Sequence, residues 1–147
     1  MAHVRKQIRD RVASVLAASV GLVAGRVYAS RVYPLTDAKL PAVTVYTGAE
    51  NSGLMAMGTV TLQRDLSITV DAYVKATATF DDDVDAICVQ IEDAIGADFR
   101  VNGLAKDIVL SSTEIDFSSE AEQPVGVARL TFIVRYVTSI SDASTAR

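Results

Sequence analysis

One cysteine, one histidine and no tryptophan occur in 147 residues, and each scarcity removes a class of chemistry. Cys88 has no second cysteine to pair with, which excludes a disulfide scaffold and makes a reducing compartment the simpler expectation. Nucleophilic catalysis needs a base beside the nucleophile, and His3 lies at the amino terminus, far from any serine motif. Cys88 falls on an apolar helical stripe, where a thiol is packing. Neither the Walker spacing nor G-x-G-x-x-G occurs, so no glycine-rich turn is present to cradle phosphates. An apolar stretch at residues 12–24 is 13 residues long, short of the roughly 20 that a membrane-spanning helix needs. A positive excess is also missing. Net charge is −4 and pI about 4.9, which argues against gripping phosphate backbones through clustered Lys and Arg.

What is present is enough apolar material for a core. Half the residues (50%) are apolar, 22% are charged and mean hydropathy is +0.27, so a folded domain is expected. The length suits one domain, which the pattern places at residues 1–137, followed by a polar, flexible tail at 138–147. Charge is divided along the chain. Residues 1–36 hold Arg5, Lys6, Arg9, Arg11, Arg26 and Arg31 against Asp10, a balance of +5, and the remainder carries −9. The two parts should attract, within one subunit or between copies.

Val4, Ile8, Val12, Val15 and Leu16 make one apolar face of an amphipathic helix, with Arg5, Lys6, Arg9, Asp10 and Arg11 between them. The rival reading is a secretory signal with a small-residue site at Val27-Tyr28-Ala29. It is disfavoured by Asp10 in the basic region and by Ile8, which continues the helical stripe upstream. Gly21 and Gly25 are expected to end the helix.

Short strands are expected at residues 26–33 and 42–47, the second introduced by Pro41. Residues 48–58 read as a loop with an apolar Leu54-Met55-Ala56-Met57 tip that either folds back on the core or orders against a partner. Residues 59–75 alternate Val60, Leu62, Leu66, Ile68, Val70, Ala72 and Val74 with polar neighbours, one face buried and one wet. Arg64 breaks that parity and predicts a bulge, or the emergence of the strand from the body, near there. Thr79 or Asp81 caps a second helix with Val84, Ile87, Cys88, Ile91 and Ile95 on its stripe and Gly96 at its stop. After a loop at Asn102-Gly103, strands follow at 106–112 and 113–117, or one bent strand, then a turn at Gln123-Pro124 and a last strand at 125–137. The order αβββαββ predicts an α+β fold: a mainly antiparallel, mixed β-sheet with two α-helices packed on one face.

Asp81, Asp83, Asp85 and Glu92 occupy positions 1, 3, 5 and 12 of a calcium loop, but Ala86 replaces the turn glycine and the helical stripe runs straight through. A capped acidic helix start accounts for the same residues, with a weak divalent cation shared between subunits as the remaining metal reading. No metal, cofactor or catalytic residue is assigned.

The stretch Leu40-Pro41-Ala42-Val43-Thr44-Val45-Tyr46, followed by Thr47-Gly48-Ala49-Glu50, resembles the tail terminator family of lambda-type long-tailed phages, the minor tail protein U family. The strand ending Asp71-Ala72-Tyr73-Val74, the Asp-rich helix and the strand Ala128-Arg129-Leu130-Thr131-Phe132-Ile133-Val134-Arg135-Tyr136 extend the resemblance over residues 40–136. The resemblance implies a non-enzymatic virion protein, assembled in the host bacterial cytoplasm as a homo-hexameric ring. Such a ring caps the tube of the major tail tube protein, ends its growth and meets a head-tail connector protein. DNA would pass through without specific binding, and no membrane is involved. Candidate interface residues are Glu50, Asn51, Leu54, Met55, Met57, Arg5, Arg9 and Asp82. The alternatives are another head-tail connection protein of similar fold and, from a different class, a small ligand-binding domain or enzyme.

Overall fold

The computed structural model of the chain describes residues 1–29, 40–118 and 125–147. Helix α1, Val4–Ser19, buries Val4, Ile8, Val12 and Leu16, a stripe at four-residue spacing that turns one face to the sheet. Each such side chain contributes about 1.5–3 kcal/mol when fully buried. His3 caps the start, its Nδ1 accepting the backbone N–H of Arg5 at 3.0 Å. A 3₁₀ turn, Gly21–Val23, follows, and Ala24 and Gly25 leave it with φ of 49° and 79°, a left-handed exit that stops the helical path.

The strands are β1 (Val27–Tyr28), β2 (Ala42–Leu54), β3 (Thr61–Lys75), β4 (Asp107–Ser118), β5 (Val125–Ser139) and β6 (Asp142–Ala146), with helix α2 (Phe80–Ala97) between β3 and β4. Their order across the sheet is β1-β2-β3-β5-β4, with β6 beside the end of β5. β1 runs parallel to β2 and every other pairing is antiparallel. The fold is therefore α+β with a mixed sheet. Leu66, Ile68, Val70 and Ala72 of β3 and Ala128, Leu130, Phe132, Val134 and Tyr136 of β5 alternate inward beneath both helices, as period two requires. Val84, Ile87, Ile91 and Ile95 bring α2 onto the same core.

Several expectations need correction. Residues 48–54 belong to β2, because the β2–β3 hairpin keeps pairing to Leu54–Leu62, and the connecting turn is confined to residues 55–60. β3 pairs with β5 without interruption from Thr61 to Lys75, so Arg64 causes no bulge in its own strand. The irregularity lies across from it, in β2 between Thr47 and Glu50. Nor is the second face of β3 uniformly wet: Thr69 and Asp71 are 8% and 1% exposed. The tail expected to be loose forms β6, with Arg147 N–H donating to the Val137 carbonyl at 2.8 Å. Its polar residues pair through backbone, which asks nothing of hydrophobicity. Gly96 does not stop α2, which ends one residue later. In place of two strands at 106–112 and 113–117 there is the single bent strand β4, Asp107–Ser118, kinked by a register shift between Leu110 and Ser112. Of the strand expected at residues 26–33, only Val27 and Tyr28 are in β1; residues 30–33 and the Gln123-Pro124 turn lie outside the described residues.

α2 is held at its start by an aromatic contact that constrains β5. Phe80 packs edge-on against Phe117 with centroids 5.6 Å apart, and its ring lies over Gly126 so closely that a β-carbon there would fall 1.9 Å from a ring carbon. Gly126→Ala should therefore lower stability by about 1–3 kcal/mol, the usual cost of overpacking, with partial recovery in a Phe80→Leu background. Urea unfolding of the three variants measures it; equal midpoints for wild type and Gly126→Ala would contradict the close packing.

Candidate functional site

The bulge in β2 decides which side chains meet at one end of the sheet. Between the pairs Thr47–Ile68 and Glu50–Leu66, β2 advances three residues while β3 advances two, so Glu50 turns to the helix-covered face. There its carboxylate, 9% exposed, accepts from Arg5 Nη1 at 3.0 Å and Arg64 Nη1 at 3.2 Å. The hydroxyl of fully buried Tyr136 donates to the other oxygen. Arg64 also donates from Nε to Thr138 Oγ1 at 3.1 Å and lies over the Tyr136 ring, 5.9 Å from its centroid. These contacts explain how Arg64 can occupy an inward position with only 12% of its side chain exposed: a buried cation requires a partner, and Glu50 supplies it. Burial, followed by the bond to Glu50, raises the Tyr136 pKa and keeps the phenol protonated.

A second polar cluster lies on the face without helices. Asp71 accepts from Tyr46 Oη at 2.9 Å and from Arg129 Nε at 3.0 Å. Burial and the carboxylate together raise the Tyr46 pKa. Neither cluster presents a nucleophile next to a base. His3 is occupied as a helix cap, and burial pushes the Cys88 thiol up to about 11, with Glu92 and Asp85 adding to the shift. The would-be calcium loop is helical throughout, within α2.

The candidate residues named from sequence do not come together in one place. Arg5 and Glu50 form the ion pair just described. Leu54, Met55 and Met57 stand at the end of the β2–β3 hairpin, 54%, 55% and 99% exposed. Two further residues join them: Val60, which the alternation placed on the buried face but which precedes β3 and is 58% exposed, and Ile140, 56% exposed, linked by the Ile140 N–H to Val60 carbonyl bond at 2.8 Å. Asn51 is exposed on the opposite face of the hairpin, across from Asp65. Asp82 is exposed on the first turn of α2, at the other end of the sheet from Glu50. Arg9 stays on the side of α1 with its Nε 3.9 Å from Asp10. Of the basic helix, Lys6 pairs with Asp10 of the same helix, while Arg5 pairs with Glu50 and Arg11 with Asp98, so part of the attraction between residues 1–36 and the rest of the chain is satisfied internally.

Over residues 3–136 the chain matches the family model described as phage minor tail protein U. The chain belongs to the phage minor tail protein U family. It is accordingly a structural protein of a phage tail. A chain in the solved virion of a native gene transfer agent (GTA) particle is similar at TM-score 0.56 and 17% identity, the match covering 86% of this chain and 92% of that one. At this identity the likeness concerns the fold. No curated protein matches the chain. Within this minor tail protein U chain, the apolar hairpin end is the surface to which a structural role draws notice.

Two outcomes follow from the Glu50 cluster. Glu50→Ala should destabilise the fold by about 3 kcal/mol, since it leaves Arg64 and the Tyr136 hydroxyl buried without their acceptor, and Glu50→Gln by less. Chemical denaturation compares them, and identical stability of all three proteins would deny the cluster its structural part. Burial and the nearby guanidinium groups of Arg5 and Arg64 lower the His3 pKa from 6.5. The group binds protons more readily unfolded, so its contribution is complete above pH 6.5 and is lost as pH falls through the lower folded value. An NMR titration should give a His3 midpoint below that of the unfolded chain; a midpoint above it would reverse the sign.

Proposed function

We propose that this protein is the terminator of the phage tail: a non-enzymatic subunit of a homo-hexameric ring that caps the tube, ends its polymerisation and presents the surface on which the head is joined. The observation that carries this reading is the apolar hairpin end. Leu54, Met55, Met57, Val60 and Ile140 are exposed together at one end of a sheet whose other large apolar residues are mostly under helices. A soluble protein keeps such a cluster when a partner covers it, and adaptable methionines suit contact with the end of a tube. The uneven charge supports head-to-tail contacts, which need two different complementary surfaces on each subunit. A net charge of −4 also suits a ring through which DNA slides without being held. The head-tail connector and the major tail tube protein are the expected neighbours, and the virion is the expected location.

The alternative within the same class is another head-tail connection protein, which would not control tube length. Assembly of purified tube protein, imaged with and without this chain, separates them. Tubes should stop elongating and carry rings at one end, while sedimentation gives a closed oligomer of six copies. Hydrogen exchange at residues 55–60 should be fast in the free subunit and slow in the capped tube. Tubes that lengthen regardless of this chain would refute the terminator reading.

A further inference from the structure

The two helices divide the covered face between opposite edges of the sheet, α1 over β1 and β2 and α2 over β3, β4 and β5. Their charges are opposite. α1 carries Arg5, Lys6, Arg9 and Arg11 against Asp10, whereas α2 carries Asp81, Asp82, Asp83, Asp85, Glu92 and Asp93 and no base. The contacts orient each helix. Arg11 reaches Asp98 at the end of α2 while Arg5 reaches Glu50 of β2, so the flank bearing Arg5 and, one turn on, Arg9 looks away from α2 toward the β2 edge. Arg9 is that flank's least committed cation: its Nε lies 3.9 Å from Asp10 and has no hydrogen-bond partner. On α2, Asp83, Ala86 and Ile87 line a groove with Leu22, Val74 and Lys75, which sets that flank toward β3. The opposite flank, with Asp85 and Glu92, borders β4.

Both edges also carry unsatisfied strands. β1 covers β2 only at Val43 and Thr44, so residues 49–54 have no strand on their outer side among the described residues. The outer side of β4 is likewise open over Asp107–Ser118 among those residues, without a lysine or proline to blunt it, and Ile115 and Phe117 are 48% and 58% exposed. Strand direction alternates through β2, β3, β5 and β4, so in a cyclic assembly the β4 of one copy meets the β2 of the next antiparallel. The levels agree. Glu50 pairs with Leu66, Leu66 with Val134 and Val134 with Ile108, which places the Arg5–Arg9 flank level with the start of β4. Ile108 shares a small cavity with Ile95, one turn beyond Glu92.

We propose that the partner for both edges is a second copy of this chain: the α1–β2 edge of one subunit docks on the α2–β4 edge of the next, with Arg9 facing Asp85 and Glu92 and residues 49–54 alongside the start of β4. This rests on the ring-forming reading above and names the surfaces that close the ring. Closing it would cover the free stretch of β2 and the start of β4, and so shorten the open edges that otherwise present a hazard.

Charge reversal on each edge tests the assignment. Arg9→Glu and the double variant Asp85→Lys, Glu92→Lys change exposed or partly exposed side chains, and circular dichroism verifies that both fold. Each alone should weaken self-association at least about tenfold in sedimentation, since like charges replace attraction. An equal mixture of the two should recover assembly, because the reversed edge of each complements that of the other while the unreversed edges still match. No folding defect would be cured by mixing. Wild-type-like assembly of either variant, or no recovery in the mixture, would overturn this pairing while leaving the ring intact. A wild-type chain that stays monomeric alone and with tube protein would instead remove the ring reading itself.

Discussion

Four elements meet at the carboxylate of Glu50, and the geometry of the functional end of the molecule depends on that meeting. β2 supplies the acid, α1 supplies Arg5, β3 supplies Arg64 and β5 supplies Tyr136. A buried carboxylate or guanidinium alone is costly, so each partner is tolerable only while the others stay in place. That mutual requirement fixes the start of α1 over the sheet and anchors the hairpin where it leaves the core. The hairpin end can then carry exposed Leu54, Met55 and Met57 without needing apolar packing of its own to hold it.

The bulge between Thr47 and Glu50 is the local cause. One extra residue in β2 reverses the alternation beyond it and sends Glu50, rather than its neighbour, beneath α1. The same cluster takes a base out of circulation. With Arg5 committed to Glu50 and Arg11 to Asp98, Arg9, held only loosely by Asp10 at 3.9 Å, is the cation that α1 offers on the side opposite the acidic helix.

A subunit whose two edges differ in sign is suited to heterologous contacts, in which one kind of surface always meets the other and rotation closes the chain of contacts into a ring. Exposed ion pairs contribute little individually, about 0–1 kcal/mol, so the firmness of such an assembly has to come from apolar burial and strand pairing, with charge selecting the orientation. The exposed Ile115 and Phe117 and the open edge of β4 are of the right kind for that part.

Sequence periodicity by itself determined α1, α2, the long strands β3 and β5 and the helix-covered sheet, because a stripe at three-to-four spacing or strict alternation has one low-energy way to bury itself. It also marked Leu54, Met55 and Met57 as an apolar stretch in need of burial, on the core or on a partner, and the family resemblance pointed to a phage tail. Tertiary structure alone decided the rest. The inward position of Arg64 read as a bulge in its own strand, since parity along one strand carries no information about the acid that arrives from the next. β6 was not legible because its residues pair through the backbone and leave no hydrophobic pattern, and the long pairing of β2 was masked by its glycines and polar residues. The addition of Val60 and Ile140 to the hairpin end, and the segregation of opposite charges to opposite edges, depend on strand order, which no spacing within a single segment encodes.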